Sequence, residues 1–142
     1  MGTSMHGFVE CRTWELGREN GDTAWYSAVS LAMLGVTQDC GALDCLFDTL
    51  CPGTCRPVAP ARGLPPDAAE LTRADFGAAG TAAFGATFLS WGEIASIDWD
   101  EPTQRREVMP PDGAWEPVWS VMRAQARIHG NDGVRLVAWF ES

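Results

Sequence analysis

The periods at which hydrophobic and polar residues recur predict the elements of this chain. Gly7–Trp14, GFVECRTW, is rich in β-forming residues and partly alternating, which predicts a strand. Glu15–Thr23 is polar, with Gly17, Asn20 and Gly21, and reads as a loop. In Trp25–Leu34, Trp25, Val29 and Met33 fall on one helical face, so a helix is expected, with Thr23 as its N-cap. Gly41–Leu50 predicts a second short helix. Its stripe is Leu43, Leu46, Phe47 and Leu50, and Pro52-Gly53 closes it.

Arg56–Asp67 carries four prolines and reads as extended surface chain. A helix is expected over Ala68–Phe76, then a loop over the Ala/Gly-rich Gly77–Gly85. A short strand is expected at Arg105–Val108. Trp115–His129 has the clearest helical stripe: Trp115, Val118, Trp119, Met122 and Ala126. Pro117 suits its first turn, Arg123 and Arg127 its C-terminal end, and Gly130 its cap. Asn131-Asp132-Gly133 turns the chain into Val134–Phe140, VRLVAWF. That segment is apolar on both faces, as a central strand is.

Strands at both ends with helices between them predict an α+β fold. The N- and C-terminal strands are expected to pair in the centre of a small mixed or antiparallel sheet. The Trp115–His129 helix and shorter helices cover it. The length of 142 residues predicts one domain, over residues 5–142. Met5 reads as the natural start, with Met1–Ser4 as an appended scar.

The segment Thr87–Glu101, TFLSWGEIASIDWDE, gathers two tryptophans and four carboxylates in a tight space. Ser90 and Glu93 stand in the capping-box relation, so a short helix is expected to start at Ser90. Asp98 and Asp100 alternate after it and are expected to share one strand face. They are expected either to be held by an arginine or backbone donors, or to border a cavity.

Charge and composition narrow the classes of function. All ten basic residues are arginine, which excludes Schiff-base chemistry and a Walker P-loop, since both need a lysine amine. The net charge of −9 argues against direct nucleic-acid binding, whose affinity comes from neutralising phosphates. An acidic protein favours basic partners, although charge of this size also serves solubility. No run of ~20 apolar residues is present, so no membrane partner is expected. The N-terminus lacks a signal-peptide pattern, and a cytoplasmic location is the expectation.

Four of the five cysteines fall at C-x4-C-x5-C-x3-C from Cys40 to Cys55. Zinc knuckles prefer closer pairs, so Cys40, Cys45, Cys51 and Cys55 are not expected to share a metal, and no cofactor is expected. A Cys51–Cys55 disulfide is disfavoured in a reducing compartment. Cys11 could approach His6 or His129, but a helix-end His129 interacting with carbonyls is the stronger reading.

Acid/base candidates are Glu10, Asp98, Asp100 and His129. Binding candidates are Trp14, Trp25, Trp91 and Trp99, because tryptophans line pockets and interface centres. Trp14 and Trp25, near loops, are the ones expected to be exposed.

Several motifs stand along the chain: HGFVECR, CLF followed by RP, RGLPPD and SWGEIASIDWDEP. As a set, from His6 to about Pro102, they resemble a group of small proteins of actinobacteria and their phages. The resemblance implies a shared fold and carries no chemistry with it. The group has a His-containing stretch before the SW motif, where this chain reads AAFGAT over Ala82–Thr87. Cys51 and Cys55 are not part of the group pattern.

Two functional expectations follow. One is an acidic, tryptophan-rich binding protein, an inhibitor or accessory factor acting on a basic macromolecular partner. The other is a small enzyme using the acid/base candidates on a small molecule in a Trp-lined pocket. Converging Asp, Glu and His in a closed pocket would favour the enzyme. A flat acidic face with exposed aromatics would favour the binder.

Overall fold

The computed structural model describes residues 3–14, 23–36, 59, 62–96 and 115–142. Strand β1 spans Ser4–Trp14, β2 Thr23–Ser30, β3 Ala83–Ser90 and β4 Val134–Glu141. Helix α1 spans Glu70–Ala79, α2 Trp91–Ala95 and α3 Glu116–His129. The four strands form one antiparallel sheet in the order β2-β1-β4-β3. The N- and C-terminal strands therefore pair at its centre, and the fold is α+β.

β4 is buried from Val134 to Phe140, because both of its faces are covered. Strand residues alternate between faces. Met5, Val9 and Cys11 of β1 and Val134, Leu136, Ala138 and Phe140 of β4 point to one side. There they pack with Leu89 and with Val118, Trp119, Met122 and Ala126 of α3. Pro lies in the first turn of α3 and Gly130 caps its end at φ 83°. Burial of the large apolar side chains on this side supplies ~1.5–3 kcal/mol each.

Gly7 is a close-approach position within β1. Its φ is 152°, and a Cβ there would come 2.0 Å from the Val137 carbonyl oxygen across the ladder. The β1–β4 pairing at this point therefore requires glycine.

Two expectations are corrected. Trp25–Leu34 is not a helix: it is β2 followed by a 3-10 turn at Leu31–Leu34. Thr23 opens the strand, and Ser30 caps the turn by accepting from the Ala32 N–H. The helical stripe would have buried Met33, which is 79% exposed, while Leu31 is buried. β propensity of Trp25, Tyr26 and Val29 and pairing with β1 prevail over the three-position helical match. Gly77–Gly85 is not one loop either. α1 runs on to Ala79, a 3-10 turn follows at Gly80–Ala82, and β3 begins at Ala83. Small residues carry little β propensity, but the β4 edge supplies the pairing. Gly85 at φ 67° lies where the register shifts between Phe84 and Thr87.

The helix expected over Gly41–Leu50 and the strand expected at Arg105–Val108 lie outside the described residues. So do Cys40, Cys45, Cys51 and Cys55. No described helix is long and apolar enough to cross a membrane.

Candidate functional site

The other side of the sheet is built from the alternate positions of the same strands. His6, Phe8, Glu10 and Arg12 of β1 point there, with Trp25 and Ser27 of β2, Phe88 of β3 and Arg135, Val137 and Trp139 of β4. Helix α1 lies over this side, and its Thr72 hydroxyl is 2.7 Å from the Ser27 hydroxyl.

Two opposite charges occupy the centre of this face. Glu10 is fully buried and Arg135 nearly so. The two residues are direct partners in the β1–β4 register. Arg135 Nε donates to Glu10 Oε1 at 2.8 Å, and its Nη2 lies 2.7 Å from the same oxygen. The other Glu10 oxygen accepts the Ala69 N–H at 2.9 Å. Ala69 is the N-cap of α1, where unsatisfied N–H groups and the helix dipole favour an anion. Arg135 also donates to the Asp67 carboxylate at 2.9 Å and the Asp67 carbonyl at 3.3 Å. Its guanidinium lies 3.8 Å from the centroid of the Trp25 ring. A buried ion pair persists when further hydrogen bonds satisfy both ions, as they do here.

Asp67 stands at the exposed rim of this network. Desolvation raises its carboxyl pKa, but the Arg135 hydrogen bond and charge outweigh it and hold the group below the usual carboxylate range. Glu93 is likewise lowered, first by its hydrogen bond to Arg62, against desolvation and with help from Ser90. The Arg62 fork meets both Glu93 oxygens, at 2.9 and 2.7 Å, and lies 5.9 Å from the Phe88 ring centroid. The capping box is complete. The Ser90 hydroxyl accepts the Glu93 N–H, and Glu93 accepts the Ser90 N–H, both at 3.1 Å.

Two recesses open beside Trp25. A groove of about 660 Å³ lies between β2 and α1, lined by Ala24–Ser27, by Asp67–Leu71 and by Ala74. A cleft of about 190 Å³ is lined by Trp25, Phe88, Ser90, Glu93, Asp132 and Arg135. Leu71 is 54% exposed at the groove.

The sequence candidates fall in different places. Glu10 has both oxygens engaged by Arg135 and Ala69. His129 closes α3, on the opposite side of the sheet from Glu10. Cys11 also faces the α3 side and donates to Gln125 Oε1 at 3.5 Å rather than to a histidine. Burial, then the neighbouring Glu10 charge, pushes its thiol up to about 11. His6 Nε2 lies 2.9 Å from the Ser4 hydroxyl and 3.2 Å from Glu141, and its ring stacks on Trp139. Trp14 is exposed at the end of β1. Trp25 is half-buried against Arg135, and Trp91 is half-buried beneath Arg123. Asp98, Trp99 and Asp100 lie outside the described residues. Among the described residues, no three His, Cys, Asp or Glu side chains gather as metal ligands.

The network around Arg135 and Asp67, with Phe88 and Arg62, was missed from the sequence. A signal existed for its centre. Arg135 interrupts an apolar strand and Glu10 interrupts another, and opposite charges at central-strand positions need each other. No family model, curated protein or solved structure matches the chain.

Proposed function

We propose that this protein is an acidic binding protein that holds a basic macromolecular partner on the α1 side of its sheet. The observation that carries the reading is the groove between β2 and α1, with exposed Leu71 and the carboxylates of Asp67 and Glu70 along it. Its volume falls in the ~300–1,000 Å³ range of ligand sites. The charge of −9 would draw a basic partner towards it. The buried Glu10–Arg135 pair supports this assignment by fixing the position of Trp25 and the N-terminus of α1, which form the walls.

The enzyme reading has less support. Glu10 is engaged on both oxygens, and His129 lies across the sheet from it. The test is affinity capture from a lysate of the native source with the wild-type protein and Leu71→Arg. A basic protein retained by the wild type and lost with Leu71→Arg is expected, with unchanged unfolding of the variant. Retention that ignores Leu71→Arg, or no specific retention, would overturn the reading.

A further inference from the structure

We infer that the partner presents an extended basic peptide segment. It lies along the outer edge of β2, with one arginine or lysine side chain seated in the Trp25–Phe88 cleft. The inference rests on the binding reading above and specifies its ligand.

The geometry of β2 points to an extended chain. Among the described residues β2 has one strand neighbour, β1, and is an outer strand of the sheet. The groove is lined by four consecutive residues, Ala24–Ser27. A strand face contributes every second residue, so a consecutive run means that the groove follows the strand's edge. Outer strands flanked by a helix accept an added strand, whose backbone pairs with the edge while alternate side chains enter flanking pockets. Trp25 lines both recesses, so the cleft adjoins the groove as such a pocket.

The cleft has the chemistry of a cation site. The rings of Trp25 and Phe88 and the carboxylates of Glu93 and Asp132 line it, with Arg135 as the one resident cation among the described lining residues. The fold already uses Trp25 this way, holding the Arg135 guanidinium over its ring. Two arginines of this side are held in ion pairs. Arg135 serves Glu10 and Asp67, and Arg62 serves Glu93. Arg73 donates to the Pro66 and Ala68 carbonyls, and Arg12 lies 5.5 Å from the Trp25 ring centroid. Asp132 in the cleft and Glu70 on the groove make no ion pair among the described residues. Among the described residues, the charged groups that line the two recesses are Asp67, Glu70, Glu93 and Asp132 against Arg135 alone, an acidic balance that selects a basic occupant.

The test is selection of a random decapeptide library on the immobilised protein, followed by fluorescence anisotropy of the enriched peptides. Enrichment of arginine- or lysine-bearing, proline-poor peptides is expected. Asp132→Asn should weaken them about tenfold, ~1.4 kcal/mol. Changing the peptide's arginines and lysines to Met one at a time should find one position at which Asp132→Asn no longer matters. Enrichment of acidic or apolar peptides, affinity unmoved by Asp132→Asn, or no enrichment over the Leu71→Arg protein would overturn the inference. If Leu71-dependent capture of a partner succeeds while these peptide results fail, the binding reading stands and the extended basic ligand does not. If the capture fails as well, both fall.

Discussion

On the α3 side of the two central strands the inward residues are Met5, Val9, Leu136, Ala138 and Phe140. One position along the same strands, on the α1 side, they are His6, Phe8, Glu10, Arg135 and Trp139. The first set holds by apolar area, which is non-directional and roughly proportional to the surface removed from water. The second holds by geometry. A guanidinium between two carboxylates and an indole works only if each partner stays in place. One strand pair thus carries a tolerant face and a demanding one, and the recesses lie on the demanding face.

The comparison breaks first at its two centres. Glu10→Ala should destabilise by ~3–5 kcal/mol, because it leaves Arg135 buried without its partner and the Ala69 N–H without an acceptor. The double change Glu10→Met with Arg135→Met should recover most of that loss, since an apolar pair of similar size escapes the desolvation cost. Urea unfolding of the two proteins decides it. A double variant as unstable as the single would show that the network does more than satisfy its own charges. On the other face, Trp119→Ala should also cost ~3–5 kcal/mol, through a cavity among Met122, Trp115 and the sheet. A loss below ~1 kcal/mol would mean that α3 can close the cavity and that this face is softer than its burial implies.

The same contrast explains what was legible in the sequence. α3 and β4 were readable because each buries a periodic apolar pattern, and a pattern is a property of neighbouring residues. The Ser90 capping box was readable because its partners are three residues apart. β2 was misread because its matches to a helical stripe did not survive pairing with β1. β3 was missed because its small residues are ordered by the β4 edge. The candidate site was least legible. Glu10 was singled out, but as an acid rather than as the partner of a residue far along the chain. Trp25 was named as a binding residue without the arginine that orients it. Asp67, Phe88 and Arg62 come together only through the sheet.

The smallest effect separates the faces by pH. Glu93 has its carboxyl pKa lowered in the folded protein, chiefly by Arg62. The unfolded chain then binds more protons than the folded one in the acid range, so stability rises with pH there. The contribution is fully present above the ordinary glutamate value of 4.5 and is lost as pH falls through the lowered folded value. Glu93→Gln keeps an oxygen for the Ser90 N–H but removes the charge and one of the two oxygens that accept from Arg62. The Arg62–Glu93 pair is partly exposed, at 32% and 37%, so solvent screening limits the loss at pH 7 to ~1 kcal/mol or less. The difference should shrink as pH falls from the ordinary glutamate value through the lowered folded one. The Trp119→Ala deficit contains no titrating group and should stay the same across that range. Denaturant unfolding of both variants and the wild type at pH 7 and pH 3 provides the measurement. A Glu93→Gln deficit as large at pH 3 as at pH 7 would mean that the side chain works through its shape rather than its charge. The line between a packed face and an electrostatic one would then have to be redrawn at α2.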